Sequence, residues 1–189
     1  MTGAGFRFET DRLILRDWRG DADWGEFFRV TNTPNVMRWL GGTFDDAGCN
    51  KQRERVEACR GRNGFCFWAL ERRDDDALLG FCGLKRADAP GSSVTGAMEI
   101  GWRLREDAWG KGYAKEAARA ALSAAFEDFG AKEVVALTVA DNSASWGLML
   151  KLGMRRREEL DYPDERYDHP WRDTVVYSIS RDEWERNCG

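Results

Sequence analysis

The residue types best suited to chemistry occur in one glycine-bearing stretch near the middle of the chain, Trp109-Gly110-Lys111-Gly112-Tyr113-Ala114. A strand pattern precedes it over residues 98–104, where apolar residues alternate with Glu99, Gly101 and Arg103. A helical pattern follows over residues 115–129. The first N–H groups of a helix have no partner within it, and the helix dipole adds positive potential at that end. Because two glycines let an anion approach the backbone closely, the stretch predicts a phosphate-binding loop.

Short glycine patterns are weak signals, and the familiar phosphate loops do not match this one. A Walker loop needs an earlier glycine and a lysine followed by Ser or Thr, whereas Gly112 follows Lys111 here. The dinucleotide fingerprint needs a third glycine where this chain has Lys115. From these residues alone, an ordinary glycine turn that leads into a helix is as good an interpretation as a phosphate site.

The elements after the loop must hold it in place. In the long helix, apolar residues recur at intervals of three and four and form one core-facing stripe, Ala118, Ala121, Leu122, Ala125, Phe126 and Phe129. Gly130 is expected to end this helix in a left-handed conformation. Asp141 or Asn142 is expected to cap a later short helix that closes at Gly153.

The rest of the chain alternates between strand and helix patterns. Strands are predicted over residues 13–16, 65–71, 78–84, 134–139 and 174–179. Helices are predicted over residues 21–30 and 50–59. The second and third strands should form a hairpin, since the charged run 72–76 separates them. Mixed strands with interspersed helices indicate an α+β or α/β domain centred on one sheet.

Composition narrows the class of protein. A chain of 189 residues, 42% hydrophobic and 33% charged, suits one domain with its own core. A formal net charge of −4 gives no nucleic-acid footprint, and an acidic protein is better suited to a cationic acceptor. No apolar run approaches the length of a membrane span, and no signal peptide is evident after Met1. A cytoplasmic location is therefore expected.

The cysteines and the single histidine do not form a metal-binding pattern. Five cysteines occur without a C-x-x-C pair, so no metal is expected. Cys66 and Cys82 are expected to be reduced, buried thiols, with the alternative that they meet across the hairpin. His169 lies in a polar loop, where an exposed side chain is the expected outcome and a place beside an acceptor cleft the alternative.

Several motifs, in order along the chain, resemble the GNAT superfamily of N-acetyltransferases. Residues 99–104 and 109–117 resemble its acetyl-coenzyme A motif, and residues 142–145 and 152–154 resemble the Asn-x-x-Ser and Leu-Gly-Phe elements of its RimJ/RimL-like branch. Residues 10–16 are similar to that branch's first strand. The resemblance implies a single α+β domain over residues 1–189. Its central twisted sheet would be mostly antiparallel with one splayed parallel pair, flanked by helices.

The resemblance also implies a cosubstrate and the residues that hold it. Acetyl-CoA would bind without a metal, its pyrophosphate on the backbone amides from Gly110 to Ala114. Lys111 would add Coulomb attraction, although a loop lysine is as often solvated. The pantetheine arm would meet the main chain of Trp102 and Leu104, and Asn142 would lie near it. Trp109 stands where the general superfamily has Gln or Arg, and Trp is common there in the RimJ/RimL-like branch.

In this superfamily the acceptor amine attacks the thioester directly, which requires a base and a donor to the leaving thiolate. Glu99 is the strongest candidate for the base, with a structural pairing to Arg103 or another arginine as the alternative. The chain has no tyrosine between Ser143 and Met154, so Ser145 is the candidate that contacts the leaving sulfur. A serine at this position is also a common helix cap.

The acceptor is not evident from the sequence. The resemblance implies a primary amine, either a protein N-terminus or a small molecule, handled by a monomer or homodimer. Acidic residues at 161–168 would suit a cationic acceptor, although such runs are usually solvated. A non-catalytic coenzyme A-binding or regulatory module is the main alternative. A nucleotide-dependent kinase is disfavoured because the Lys–Ser/Thr pair is missing.

Overall fold

One central sheet contains all the strands that the structure describes. The structure is a computed structural model and describes residues 5–188, up to the backbone of Cys188. Sequence predictions for residues 1–4 and 189 lie outside the described residues. The strands are β1 (Arg7–Glu9), β2 (Leu13–Arg16), β3 (Trp68–Arg72), β4 (Leu78–Arg86), β5 (Met98–Leu104), β6 (Glu133–Val139), β7 (Arg155–Arg156), β8 (Tyr162–Pro163) and β9 (Asp173–Ser180). Their spatial order is β1-β2-β3-β4-β5-β6-β9-β7, and β8 pairs with β9.

The sheet is antiparallel except at its centre, where β5 and β6 run parallel. This pairing is short: it joins Met98 to Val134 and ends where Ile100 meets Ala136. On its other edge β5 stays paired with β4 as far as Leu104. The β6-facing edge of residues 101–104 therefore has no strand partner, and a gap opens between the two central strands. The predicted mixed sheet with a splayed parallel pair is confirmed.

Helices cover both faces of the sheet. The helices are α1 (Asp21–Thr31), α2 (Pro34–Met37), α3 (Asp46–Asn63), α4 (Tyr113–Glu127), α5 (Ser143–Lys151) and α6 (Arg181–Cys188). The larger core lies under α4, with contributions from Met149 on α5 and Trp184 on α6. The smaller core includes Trp24 and Phe27 of α1 and Val56 of α3. Alternation along each strand separates the two cores, as Trp68 and Ala69 show by joining different ones.

Helix α4 fixes the glycine loop to the sheet. All the residues of the predicted stripe except Phe129 are buried, and Phe129 packs against the same core while half-exposed. Much of the stripe is alanine, so the helix can approach the sheet closely. Gly130 follows the helix with φ of 63°, as predicted for its end. The loop that precedes α4 is therefore held between a buried helix and a central strand.

Sequence patterns located most elements but misplaced several ends. Helix α3 extends beyond the predicted residues 50–59 at both ends, and the strand predicted over residues 65–71 begins at Trp68. Strand β1 and helices α2 and α6 are not predicted from the sequence, because each is short or mostly polar. Cys66 and Cys82 are free and buried, as expected, but they lie in different cores, and the alternative that they meet across the hairpin is wrong.

Candidate active site

The loop between β5 and α4 presents a row of unpaired backbone N–H groups. Gly110 and Gly112 have φ of 71° and 81°, and no side chain caps the helix. Within the described chain, no acceptor binds the N–H groups of residues 110–115, and the first bonded amide is that of Glu116, which donates to the Gly112 carbonyl at 3.1 Å. A Cβ on Gly110 would meet nothing within 4 Å. The loop has the open, electropositive geometry that an anion requires.

Two charged residues, Glu116 and Arg12, connect this loop to the segment that precedes β2. The Glu116 carboxylate accepts from Thr10 Oγ1 at 2.6 Å and from Arg12 Nε at 2.7 Å. Arg12 Nη1 in turn donates to the Lys111 carbonyl at 3.0 Å, and its guanidinium lies over the Tyr113 ring. Burial would raise the pKa of Glu116, but these hydrogen bonds lower it overall, so the residue is anionic. This arrangement fixes the direction in which the free amides point.

The edge of β5 above the gap contains the two residues predicted to meet the pantetheine arm. Trp102 and Leu104 both line the main cavity of the protein. The Leu104 carbonyl is already engaged, because the indole N–H of Trp109 donates to it at 2.9 Å. Trp109 is 49% exposed and also lines the cavity, whereas Lys111 does not. If Leu104 binds the pantetheine arm as predicted, it would do so through its amide N–H or through the second lone pair of its carbonyl oxygen.

Across the gap, the start of α5 contains the other predicted pair. Asn142 caps the helix: its Oδ1 accepts from the Ser145 amide at 3.4 Å, and its Nδ2 donates to Thr138 Oγ1 at 3.0 Å. The side chain is therefore committed within the protein, although Asn142 lines the cavity. Ser145 lines the same cavity, and its hydroxyl has no hydrogen-bond partner among the described residues. Of the two, Ser145 has the freer polar group.

The loop before α4, the edge of β5 and the start of α5 all line one cavity of about 970 Å³. The cavity extends from the gap to the face of the sheet that carries Glu99 and Arg103. That volume lies at the upper end of the range for cofactor and ligand sites. Apart from Lys111, every residue predicted to act in catalysis or cofactor binding lines it. The structure thus brings together Glu99 from β5, the amide row before α4 and Ser145 from α5. It does not bring His169 to the cavity: that side chain is 72% exposed and lies beside Asp173.

Glu99 is buried on the face of β5 opposite the α4 core, with 9% of its surface exposed. It pairs with Lys85 of β4 in strand register, and Lys85 Nζ lies 3.2 Å from its Oε2. The two atoms are not aligned for a hydrogen bond, and Oε2 has no partner among the described residues. Burial raises the pKa of Glu99, and attraction to Lys85 offsets part of that rise. The predicted alternative, an ion pair with Arg103 or another arginine, is not present: among the described residues the ion pair is with Lys85.

Two other carboxylates line the cavity, and their environments differ from that of Glu99. Asp88 accepts from Lys85 Nζ at 2.7 Å, and Asp164 is held by a two-point ion pair with Arg166. Burial would raise the pKa of each, but these partners lower both pKa values overall. A carboxylate with a lowered pKa is a weaker base. Of the three acids, Glu99 alone has a raised pKa, which makes it the strongest base among them.

Arg103 lies on the same face of β5 and is a buried cation with no anionic partner in the described chain. It is 5% exposed and lines the cavity. Its guanidinium lies 4.5 Å from the Phe27 ring centre and 5.4 Å from that of Phe81, and Nη1 contacts Met37 Sδ. Nε has no partner. Burial lowers the pKa of Arg103 to about 10, so the residue remains charged at neutral pH.

The contacts of Arg103 offset only part of the free energy that it costs to bury its charge. Burying an unpaired ion costs several kcal/mol even after relaxation. Each cation–π contact contributes about 0.5–2 kcal/mol, the upper value applying to desolvated pairs. The two aromatic rings therefore offset only part of the cost.

The polar loop before β9 closes the cavity on the side where the acceptor is expected to bind. Trp171 Nε1 donates to the Arg38 carbonyl at 2.8 Å, which ties this loop to the segment after α2. Tyr162 of β8 is buried beside Glu99, and burial raises the pKa of its hydroxyl. Of the acidic residues predicted to meet a cationic acceptor, Asp161 pairs with Arg156 and Asp164 with Arg166. Glu165 and Asp168 are exposed and have no ion pair among the described residues.

Sequence reasoning gave no role in the cavity to Lys85 or Tyr162, and it considered Arg103 only as a possible partner of Glu99. Lys85 lies one residue past the strand predicted over residues 78–84, and only the β4–β5 register places it opposite Glu99. Arg103 alternates with apolar neighbours, as a solvent-facing strand residue would. Tyr162 belongs to a two-residue strand with no periodic signal. Among the described residues, no group of three or more metal-ligating side chains is arranged to hold an ion, and no helix is long and apolar enough to cross a bilayer.

Comparisons with known proteins agree with this geometry. The sequence model of the Acetyltransferase (GNAT) domain matches residues 12–155. The uncharacterized N-acetyltransferase YnaD of Bacillus subtilis (strain 168) is 28% identical over 176 residues, which cover 93% of this chain and 97% of YnaD. The acetyltransferase of Agrobacterium tumefaciens str. C58 has a TM-score of 0.76 at 22% identity, covering 96% of this chain and 98% of that one.

A ribosomal-protein-S5-alanine acetyltransferase from Vibrio fischeri has the same fold, with a TM-score of 0.73 over 95% of this chain and 98% of that one. At 16% identity this likeness shows the fold alone. The match to the family model defines an acyltransferase that uses acetyl-CoA, and an acetyltransferase implies an amine acceptor. The chain belongs to the GNAT acetyltransferase family.

The residues present fit the family's cosubstrate. A pyrophosphate needs several N–H donors that are free and close together, and residues 110–115 supply such a row. A pantetheine arm needs an unpaired strand edge, and residues 101–104 supply it beside the gap. Acetyl-CoA would provide the activated acetyl group, and the chain's own residues would orient it and handle the protons.

Proposed function

We propose that the protein is an N-acetyltransferase that transfers acetyl from acetyl-CoA directly to a primary amine in the cytoplasm. The observation that carries the proposal is the row of unpaired amides at residues 110–115, which opens on the same cavity as the buried Glu99. One part suits an anionic carrier and the other suits deprotonation of an ammonium group. The motifs at residues 142–145 and 152–154 support membership of the RimJ/RimL-like branch.

In this mechanism Glu99 takes a proton from the acceptor ammonium, directly or through a water. The freed amine nitrogen forms the new bond to the acetyl carbon as the carbon–sulfur bond breaks, and the second proton that this nitrogen loses goes to the leaving sulfur. The products are the amide and the free coenzyme A thiol. The free hydroxyl of Ser145 donates a hydrogen bond to the leaving sulfur, which stabilises the charge that develops there. Lys85 remains protonated: burial would lower its pKa, but Glu99 and Asp88 raise it overall. It keeps the Glu99 carboxylate ionised enough to act.

The direct test is thiol release from acetyl-CoA across a library of amines that includes N-terminal peptides and polyamines. We expect release that depends on an added amine and persists after metal chelation, with the acetylated amine identified by mass spectrometry. Coenzyme binding without release, for every amine tested, would instead favour the non-catalytic coenzyme A-binding or regulatory module.

Substitution of Lys85 tests the electrostatic part of the mechanism. In Lys85→Met, the attraction that lowers the pKa of Glu99 is lost, so that pKa should rise further. Because the base must be ionised, the acid limb of the kcat/KM profile should move to higher pH. Lys51→Met, an exposed change on α3 outside the cavity, is the matched control. An acid limb that stays in place, or moves to lower pH, would contradict the assignment of that limb to Glu99.

A further inference from the structure

The cavity contains more positive than negative side chains although the whole chain is acidic. Within the described residues, three acids line it: Asp88, Glu99 and Asp164. Seven bases line it, namely Arg38, Arg55, Lys85, Arg103, Lys115, Lys151 and Arg166. Several of the bases are neutralised, such as Arg166 by Asp164 and Lys85 by Asp88 and Glu99. Arg103 is the buried one that no described acid neutralises.

Building on the proposed function, we propose that Arg103 binds an anionic group, a carboxylate or a phosphate, carried by the amine acceptor. A guanidinium suits both, because its fork of N–H groups matches their oxygen geometry. Its Nε–H has no partner, and Nη1 contacts only the Met37 sulfur. An acceptor anion would supply the counter-charge that the protein lacks.

Strand geometry sets the spacing between the two ends of such an acceptor. Glu99 and Arg103 project from the same face of β5, four residues apart, so their Cα atoms are separated by about 13 Å. The intervening Gly101 leaves room for the Phe67 ring, since a Cβ there would lie 2.9 Å from it. An α-amino acid, with its amine beside its carboxylate, is too short to reach both groups. The geometry favours an amine separated from its anion by a spacer of several atoms that passes the ring.

The test compares acceptors that differ only in the terminal group. In steady-state assays, 6-aminohexanoate and 6-aminohexyl phosphate should exceed hexylamine in kcat/KM by about 10- to 100-fold, the range for one charge-assisted hydrogen bond. Most of the difference should lie in KM. The preferred anionic acceptor shows whether the Arg103 site favours a carboxylate or a phosphate. Hexylamine or the dication cadaverine performing equally well would overturn the proposal.

The variant Arg103→Met should bring the ratio between anionic and neutral acceptors close to one, and Arg103→Lys should keep part of it. Arg29→Met removes an exposed arginine that pairs with Glu26 outside the cavity, and it should leave the ratio unchanged. Thermal melting establishes that each variant is folded. A folded Arg103→Met that retains the full preference would overturn the proposal.

Failure of this inference can be told apart from failure of the proposed function. If no amine releases thiol, the proposed function fails, and calorimetry with 6-aminohexanoate and 6-aminohexyl phosphate in the presence of coenzyme A decides the inference. Binding of either that is lost in Arg103→Met supports it. Absence of binding to the unmodified protein overturns it. If amines react equally well whatever the charge of their terminal group, the proposed acetyltransferase activity is supported and the proposed role of Arg103 is overturned.

Discussion

The Glu99→Gln variant should lose about 100- to 10,000-fold in kcat, the usual contribution of a positioned general base, while binding acetyl-CoA normally. Glutamine keeps the shape of the side chain but cannot accept the ammonium proton. The cavity offers no equivalent substitute, because partners lower the pKa values of both Asp88 and Asp164. Stopped assays with a saturating acceptor measure kcat, and calorimetry measures coenzyme binding.

A pH series separates a lost base from a damaged fold. As the pH rises toward the pKa of the amine, a growing fraction of the acceptor arrives already deprotonated, so the defect of Glu99→Gln should shrink. A purely structural defect would not depend on pH in this way. Glu57→Gln, which removes an exposed carboxylate on α3, is the control for charge and should behave as the unmodified protein does. If Glu99→Gln combined with Ser145→Ala transfers acetyl at the normal rate, neither residue is catalytic.

Local sequence signals predicted those features of the site whose structure is determined by residues close together in the sequence. The amide row, the start of α4 and the cap at Asn142 all follow from residue type and spacing within about ten positions. For that reason the glycine loop, the helix end at Gly130 and the capping role of Asn142 are confirmed. The catalytic and cofactor-binding roles of these residues remain predictions, because they concern molecules beyond the chain.

The acceptor half of the cavity depends on contacts between distant parts of the chain. The Lys85–Glu99 pair needs the β4–β5 register, and the isolation of Arg103 depends on Phe27 of α1 and Met37 of α2. The overall charge of −4 also does not describe the cavity, where the three acids are paired and the buried Arg103 is not. The cationic acceptor that this overall charge suggested stays a prediction. Average composition does not report which charges face a cleft.

A negative side chain in the glycine loop should nearly abolish coenzyme binding. In Gly112→Glu, the new carboxylate would lie beside the phosphate position. Two unit charges 4 Å apart at an effective dielectric constant of 20 repel by about 4 kcal/mol. That energy corresponds to a roughly 1,000-fold weaker Kd. Arg12 Nη2 lies 3.4 Å from a Cβ at this position and can pair with part of the new charge, so we expect at least about 100-fold.

Backbone strain must be separated from charge, because Gly112 has φ of 81° and any side chain there is strained. Gly112→Ala carries the strain without the charge and should weaken binding far less. Gly64→Glu carries both the charge and a comparable strain, with φ of 78° and open space around its Cβ, but it lies at the end of α3 outside the cavity. It should bind coenzyme normally.

Calorimetric titration with coenzyme A, repeated at increasing salt, measures all three variants. The loss in Gly112→Glu should shrink as salt screens the repulsion, whereas a loss caused by strain would not. The amides of residues 110–115 form an unbroken run of donors with no acceptor among the described residues, and all of these residues except Lys111 line this cavity. If a folded Gly112→Glu binds coenzyme A as tightly as the unmodified protein, the phosphates lie elsewhere. In that case the loop would not position the coenzyme, and it could not be the element that orients the thioester toward Glu99 and Ser145.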